Sequence, residues 1–358
     1  MRFQLLVIGF LLLLQPLRGG RYKDPTFSVK ILHDIPFAEA EGYWSEMEDQ
    51  TPTAKKIFMM NEAYKEKPLD LFLDLYLPQD DTLKHRPLVM LMHGGSFYYG
   101  TRKDTAISQW CRHLASLGYV AASIDYRLGF LLTKSDIERA GYRAVQDAHA
   151  AMRYLAAHQQ QYGIDTSLMF VGGTSAGAIT ALNLTFMTNE TRPSTSYASW
   201  SGGDLGNIET CGNSLTTRFS IKGVLDMWGG LADTAMMQGH NVPILAFQGD
   251  QDDVVPYQHD YPLGKFGEIK KTLANKMFGS SCIVDYAKRH GQKAELYTFK
   301  GFKHAPHFDP KTKKLNQNFY IIQDKMVAFL YQAIESKQAK KPTKALWTKK
   351  NYVPTSRP

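Results

Sequence analysis

The chain has 358 residues, 44% of them hydrophobic and 21% charged, enough for one large domain or two around a sizeable core. Its net charge of +8 is unevenly placed. Two arginines lie in the first 20 residues and seven cations after residue 336, both stretches without acids, so the body stands near −1 and offers no argument for a nucleic-acid partner. In chain order, Arg2 is followed by the apolar run Leu5 to Leu14 and then by Gln15-Pro16-Leu17-Arg18-Gly19-Gly20. This pattern predicts a secretory signal peptide cleaved near Gly20, hence a secreted or periplasmic protein. Ten apolar residues are short for a membrane span, and no later segment is long and apolar enough to make a stable one.

Residues 21 to 66 show few long patterns. Leu69 to Leu77 alternates as a strand, ended by Pro78, and Pro87 to Met92 is a continuous apolar run, as in a strand buried on both faces. It runs into His93-Gly94-Gly95-Ser96-Phe97. A helix over Ala106 to Leu117, a strand over Tyr119 to Ile124, the segment Asp125-Tyr126-Arg127-Leu128-Gly129 and a long helix over Glu138 to Gln160 follow. Leu168 to Val171 feeds Gly173-Thr174-Ser175-Ala176-Gly177, with a small-residue helical pattern from Ala178 to Leu184 behind it. Strands are expected over Ile221 to Trp228, Val242 to Phe247 and Ala294 to Phe299, and helices over Ser281 to His290 and Asn316 to Ile334. Two irregular insertions interrupt the alternation, Asn189 to Ser214 and Tyr257 to Gly279. Strands alternating with helices predict a mostly parallel, doubly wound α/β sheet with helices on both faces.

An apolar strand ending in Gly-x-Ser-x-Gly before a helix has the pattern of a nucleophile elbow. Ser175 then sits in strained backbone geometry above the carboxyl edge of the sheet. Gly173 and Gly177, without a Cβ, let strand and helix approach. Acyl transfer at a serine also needs a base, an acid that orients the base, and donors for the oxyanion. In an open sheet these come from loops at the carboxyl ends of strands. The candidates Asp250, Asp252, Asp253 and His304 each lie just past an expected strand, in the order serine, acid, histidine. His307 is a nearby rival base. No His, Cys, Asp or Glu cluster has metal-ligand spacing and no glycine-rich phosphate loop occurs, so no metal or cofactor is expected. Of the three cysteines, Cys111 reads as a buried small hydrophobe, while Cys211 and Cys282 could bridge in an exported protein.

These motifs together make the chain resemble the α/β-hydrolase superfamily on its carboxylesterase and lipase side, over most of residues 67 to 335. The likeness rests on His93 to Phe97, Asp125 to Gly129, Gln146-Asp147-Ala148, Gly173 to Gly177, Gly249 to Pro256 and His304. It implies one α/β-hydrolase domain over 21–336 between the leader 1–20 and a basic tail 337–358, with the insertions shaping a pocket. It implies Ser175 as nucleophile, His304 as base and an oxyanion hole made by the N–H groups of Gly95, Ser96 and Ala176. Ser96 departs from the third glycine that many members carry, but the backbone does the work there. The family spacing of Gly, two residues, Asp, two residues, Val-Pro selects Asp252 as the acid, with Asp226, after the preceding strand, a lesser rival because some lipases place the acid there. His93 and the Tyr126-Arg127 pair read as structural, and Trp228 as either a pocket wall or core. The expected substrate is a small-molecule or glycan-linked carboxylic ester, the oligomeric state being open. The competing readings are a serine peptidase of the same fold and a non-catalytic, cholinesterase-like binding protein.

Overall fold

The computed structural model describes residues 20–48 and 65–339. The leader, its cleavage point and most of the basic tail lie outside them. Eleven strands are described: β1 (Val29–Gly42), β2 (Lys67–Pro78), β3 (Arg86–Met92), β4 (Val120–Ile124), β5 (Ile164–Thr174), β6 (Ile221–Met227), β7 (Gly230–Leu231), β8 (Ile244–Gly249), β9 (His259–Asp260), β10 (Met277–Gly279) and β11 (Ala294–Phe299). The main helices are α1 (Thr105–Ser116), α2 (Lys134–Ala157), α3 (Ala176–Phe186), α4 (Ser280–Arg289) and α5 (Gln317–Ala339).

The sheet order is β1-β2-β4-β3-β5-β6-β8-β11. β1 and β2 join as an antiparallel edge, and every pairing from β4 to β11 is parallel. This is the fold of the α/β-hydrolases, with two apolar layers separated by the sheet. Because side chains alternate along a strand, Leu88, Met90 and Met92 of β3 join the core under α2 and α3, while Val89 and Leu91 join the core under α1 and α5. β3 and β4 are buried along their whole length, which is why they read as continuous apolar runs.

Two differences from the sequence reading have physical causes. β1 lies in the stretch that showed little pattern. Its pairing with β2 slips between Leu32 and Ile35 and again between Pro36 and Ala38, and such bulges destroy the period of two. α2 starts at Lys134, four residues earlier than expected, because the Thr133 hydroxyl caps it by accepting the Asp136 N–H at 3.2 Å. The second insertion also carries β9 and β10, which with β7 form a three-stranded sheet. All three cysteines are free, so the possible Cys211–Cys282 bridge is not made. Cys282 lies in α4, and Cys211 accepts a hydrogen bond from Arg127 at 3.3 Å. Cys111 is buried in the core under α1.

Candidate active site

β5 ends at Thr174, and Ser175 caps α3 with φ 53° and ψ −117°, a conformation unusual for a residue with a Cβ. The surroundings force that turn. A Cβ on Gly177 would come within 2.3 Å of the Met92 carbonyl oxygen, and one on Gly173 within 2.6 Å of both that oxygen and the Gly177 carbonyl carbon. The Ser175 N–H donates to the Met227 carbonyl at 2.9 Å, which ties the turn to the end of β6.

His304 stands five residues past β11, with Nε2 2.9 Å from Ser175 Oγ. Its Nδ1 lies 2.8 and 3.0 Å from the two carboxylate oxygens of Asp252, three residues past β8. An ionised carboxylate only accepts, so Nδ1 carries the proton and Nε2 is left to accept from the serine hydroxyl. The Asp252 side chain is fully buried. Its Oδ1 also accepts the Val254 and Val255 N–H groups at 2.9 and 3.0 Å, and Gln248 Nε2 donates to Oδ2 at 3.3 Å. The structure thus brings Ser175, His304 and Asp252 into one hydrogen-bonded chain.

The rival residues sit elsewhere. Asp250 accepts the Gly301 N–H at 2.7 Å, and Asp253 pairs with Lys303 at 3.0 Å. Asp226 is buried, holding the Ser280 hydroxyl and the Gly229 N–H at 2.8 Å each, and burial pushes its carboxyl up to about 6. His307 lies between Trp228 and Trp110, with ring centroids 4.7 and 5.7 Å away. Burial, with His304 nearby, pulls its imidazole down to about 3. Trp228 belongs to the core and meets His304 edge-on at 6.5 Å.

The loop after β3 approaches the serine from the other side. A Cβ on Gly94 would come within 3.3 Å of the Ser175 Cβ. Gly95 has φ 113°, and a Cβ there would sit 1.8 Å from the Tyr99 carbonyl oxygen, so only glycine fits. Its own carbonyl accepts the N–H groups of Tyr98 and Tyr99 at 2.9 and 3.0 Å. Ser96, at φ 55°, and Ala176 line the same cavity as Ser175, whereas Gly95 is not among the lining residues. Ala176 is the first residue of α3, so its N–H has no acceptor within the helix, and the positive end of the helix dipole adds to it. His93 is structural: Nδ1 donates to the Gly94 carbonyl at 2.6 Å, the ring stacks on Tyr126 at 4.3 Å, and burial lowers its imidazole to about 4.

Two contributions escaped the sequence reading, and a third, from Tyr126, was read only as structural. The Tyr126 hydroxyl donates to the His93 carbonyl at 2.8 Å and so holds the loop. Gln248 donates to the carbonyls of Val255 and Pro256 at 3.0 and 3.3 Å besides touching Asp252, fixing the acid loop. Ile137, Gly141 and Val145 of α2 line the cavity, and their spacing of four was a visible signal for one helix face. The cavity measures about 340 Å³, and both insertions contribute to its wall through Thr191, Pro193, Leu263 and Met277 among others.

The profile of the BD-FAE family matches residues 73–241. Carboxylesterase 3B of Mus musculus is 31% identical over 134 residues, which are 36% of this chain and 23% of that protein. The non-reducing polyketide synthase pkbA of Emericella nidulans is 31% identical over 144 residues, 39% of this chain and 5% of that protein. The matches therefore span less than a quarter of the length of these curated relatives. Among solved structures, a truncated carbohydrate esterase from gut microbiota superposes with a TM-score of 0.52 at 18% identity, covering 86% of this chain and 97% of that one.

Proposed function

From an α/β-hydrolase fold whose sequence is carboxylesterase-like, we propose that the protein is an exported serine esterase that cleaves carboxylic esters through an acyl-enzyme. The observation that carries the reading is the chain from Asp252 through His304 to Ser175, with both imidazole nitrogens engaged at 2.8 to 3.0 Å. In this reading His304 Nε2 takes the hydroxyl proton as Ser175 Oγ attacks the ester carbonyl, and Asp252 stabilises the imidazolium and its orientation. The carbonyl oxygen becomes an oxyanion beside the Ala176 N–H and the backbone of Gly95 and Ser96. Collapse of the tetrahedral species returns the proton to the departing alkoxide, leaving an acyl-Ser175 ester that water cleaves by the same steps in reverse. Losing one oxyanion donor costs on the order of 10²–10³ in rate.

Export follows from the Arg2 and Leu5–Leu14 pattern. The mature N-terminus, read by Edman sequencing of secreted material, should begin close to Arg21. An intact leader on the secreted protein would contradict it. The esterase reading is tested with a fluorophosphonate probe: covalent labelling that disappears in Ser175→Ala is expected. A correctly folded wild type that takes no label would favour a non-catalytic binding role.

A further inference from the structure

The esterase reading leaves the ester unnamed, and the cavity wall bears on it. At about 340 Å³ the space falls in the ~300–1,000 Å³ range of small-molecule sites. Beyond Ser175 its wall is mostly apolar, with Val145, Ile179, Met187, Met236, Leu263 and Met277, and it also carries Lys134 and Lys276. Three of the polar side chains that reach it are engaged within the protein. The Tyr142 hydroxyl donates to the Gly206 carbonyl at 2.7 Å and accepts from Arg192 at 3.3 Å. Asn183 Nδ2 donates to the Ile179 carbonyl at 2.8 Å. Glu138 accepts from the Thr195 hydroxyl at 2.7 Å and from Asn275 at 3.5 Å.

A sugar in this space would set most of its hydroxyls against apolar wall, which is costly. An acetyl group would fill little of it. A cavity of roughly 150 Å³ lined by aliphatic side chains holds one benzene, so this one has room for about a dozen carbons. Exposed apolar side chains also neighbour the wall in sequence. Leu132, 69% exposed, lies between the wall residues Phe130 and Lys134. Phe266 and Ile269, 55% and 62% exposed, lie between Leu263 and Leu273.

We infer that the cavity takes an aliphatic chain of about six to twelve carbons, carried on the acyl or the alcohol side of the scissile ester, and not a sugar. The inference rests on the esterase reading. Burying one methylene is worth at most about a fourfold gain, so kcat/KM should rise two- to fourfold per methylene until the space is filled. The full chain is assayed on p-nitrophenyl esters from acetate to palmitate, on alkyl acetates from methyl to decyl, and on acetylated xylo-oligosaccharide. The expected result is an optimum at six carbons or more in one of the two series, the series identifying which side carries the chain. Ile179→Trp should move that optimum to shorter chains, and Ile179→Ala, which runs no risk of overpacking, to longer ones. Rates that fall from the two-carbon or one-carbon member in both series overturn the inference. So does faster turnover of the acetylated oligosaccharide, or an optimum unmoved in both folded variants. Labelling of Ser175 by the fluorophosphonate separates the two claims: with labelling present, such results defeat the chain preference alone, and without it the esterase reading falls first.

Discussion

Ser175 is held in a backbone conformation that a side chain resists, between two glycines that cannot accept a Cβ. A site so constrained carries its chemistry on few atoms. Ser175→Ala should lower ester turnover by about 10⁵–10⁶ with the fold intact, judged by circular dichroism beside a p-nitrophenyl ester assay. Retention of more than a tenth of the activity would overturn the nucleophile assignment. If the three groups act as a unit, His304→Ala should cost as much and the double variant little more. The four aspartates separate by their partners. Asp252→Asn alone should cost several orders of magnitude in kcat. Asp250→Asn and Asp253→Asn, which change contacts to Gly301 and Lys303, should stay within a few-fold of wild type. Asp226→Asn should change stability far more than kcat, because its carboxylate holds Ser280 and Gly229 instead of the imidazole. A severe kcat loss in Asp226→Asn would reverse the assignment of the acid.

One layer out, the segments that present these atoms are fastened by buried ion pairs. Arg127, past β4, meets Asp147 of α2 at 2.7 Å with both side chains nearly inaccessible, and also donates to the Glu41 carbonyl of β1 at 3.0 Å. Asp147→Ala leaves a buried guanidinium without its counter-charge and should cost about 3–5 kcal/mol of stability, measured by urea unfolding. A loss below 1 kcal/mol would mean the pair is dispensable. Arg127 and Asp147 were visible in the sequence only as parts of a resemblance, since nothing in their spacing announces a contact across 20 residues. The parallel strands were legible because burial on both faces makes them continuous apolar runs. The elbow was legible because its geometry demands small residues at fixed places. β1 was not, since two register slips scramble its alternation. Nor was the packing of the insertions: Met277, which lines the cavity, sits in a three-stranded sheet whose strands are two or three residues long. Among the candidate site residues, the order serine, acid, histidine was readable. The choice of Asp252 over its neighbours needed a family spacing, because three aspartates within four positions look alike until their side chains are followed.

Taken through the whole fold, the same burial makes stability depend on pH in a calculable direction. His93 and His149 are lowered to about 4 and His307 to about 3, each chiefly by burial, with Arg153 adding to the effect at His149 and His304 at His307. Unfolded histidine titrates near ~6.5. Above that value these rings are neutral in both states and contribute no slope. Below it the unfolded chain binds protons that the folded chain refuses, so stability falls by about 1.4 kcal/mol per pH unit for each proton until the folded values are reached. Asp226 works in the opposite sense. Its folded value of about 6 lies above the ~3.9 of an unfolded aspartate. Between those two values the folded state holds the extra proton, so this group stabilises the fold as the pH drops through that window. The variants separate the contributions. His307→Phe keeps a ring between Trp228 and Trp110 but removes one titrating group, and should flatten the loss of stability between pH 6.5 and 4. Asp226→Asn should raise stability at pH 7 relative to its value at pH 4, and so steepen the net decline on acidification. Urea titrations of wild type and both variants at pH 7, 5.5 and 4.5 measure these slopes. Parallel curves for His307→Phe and wild type would show that His307 protonates equally in both states, against the burial seen between the two tryptophans.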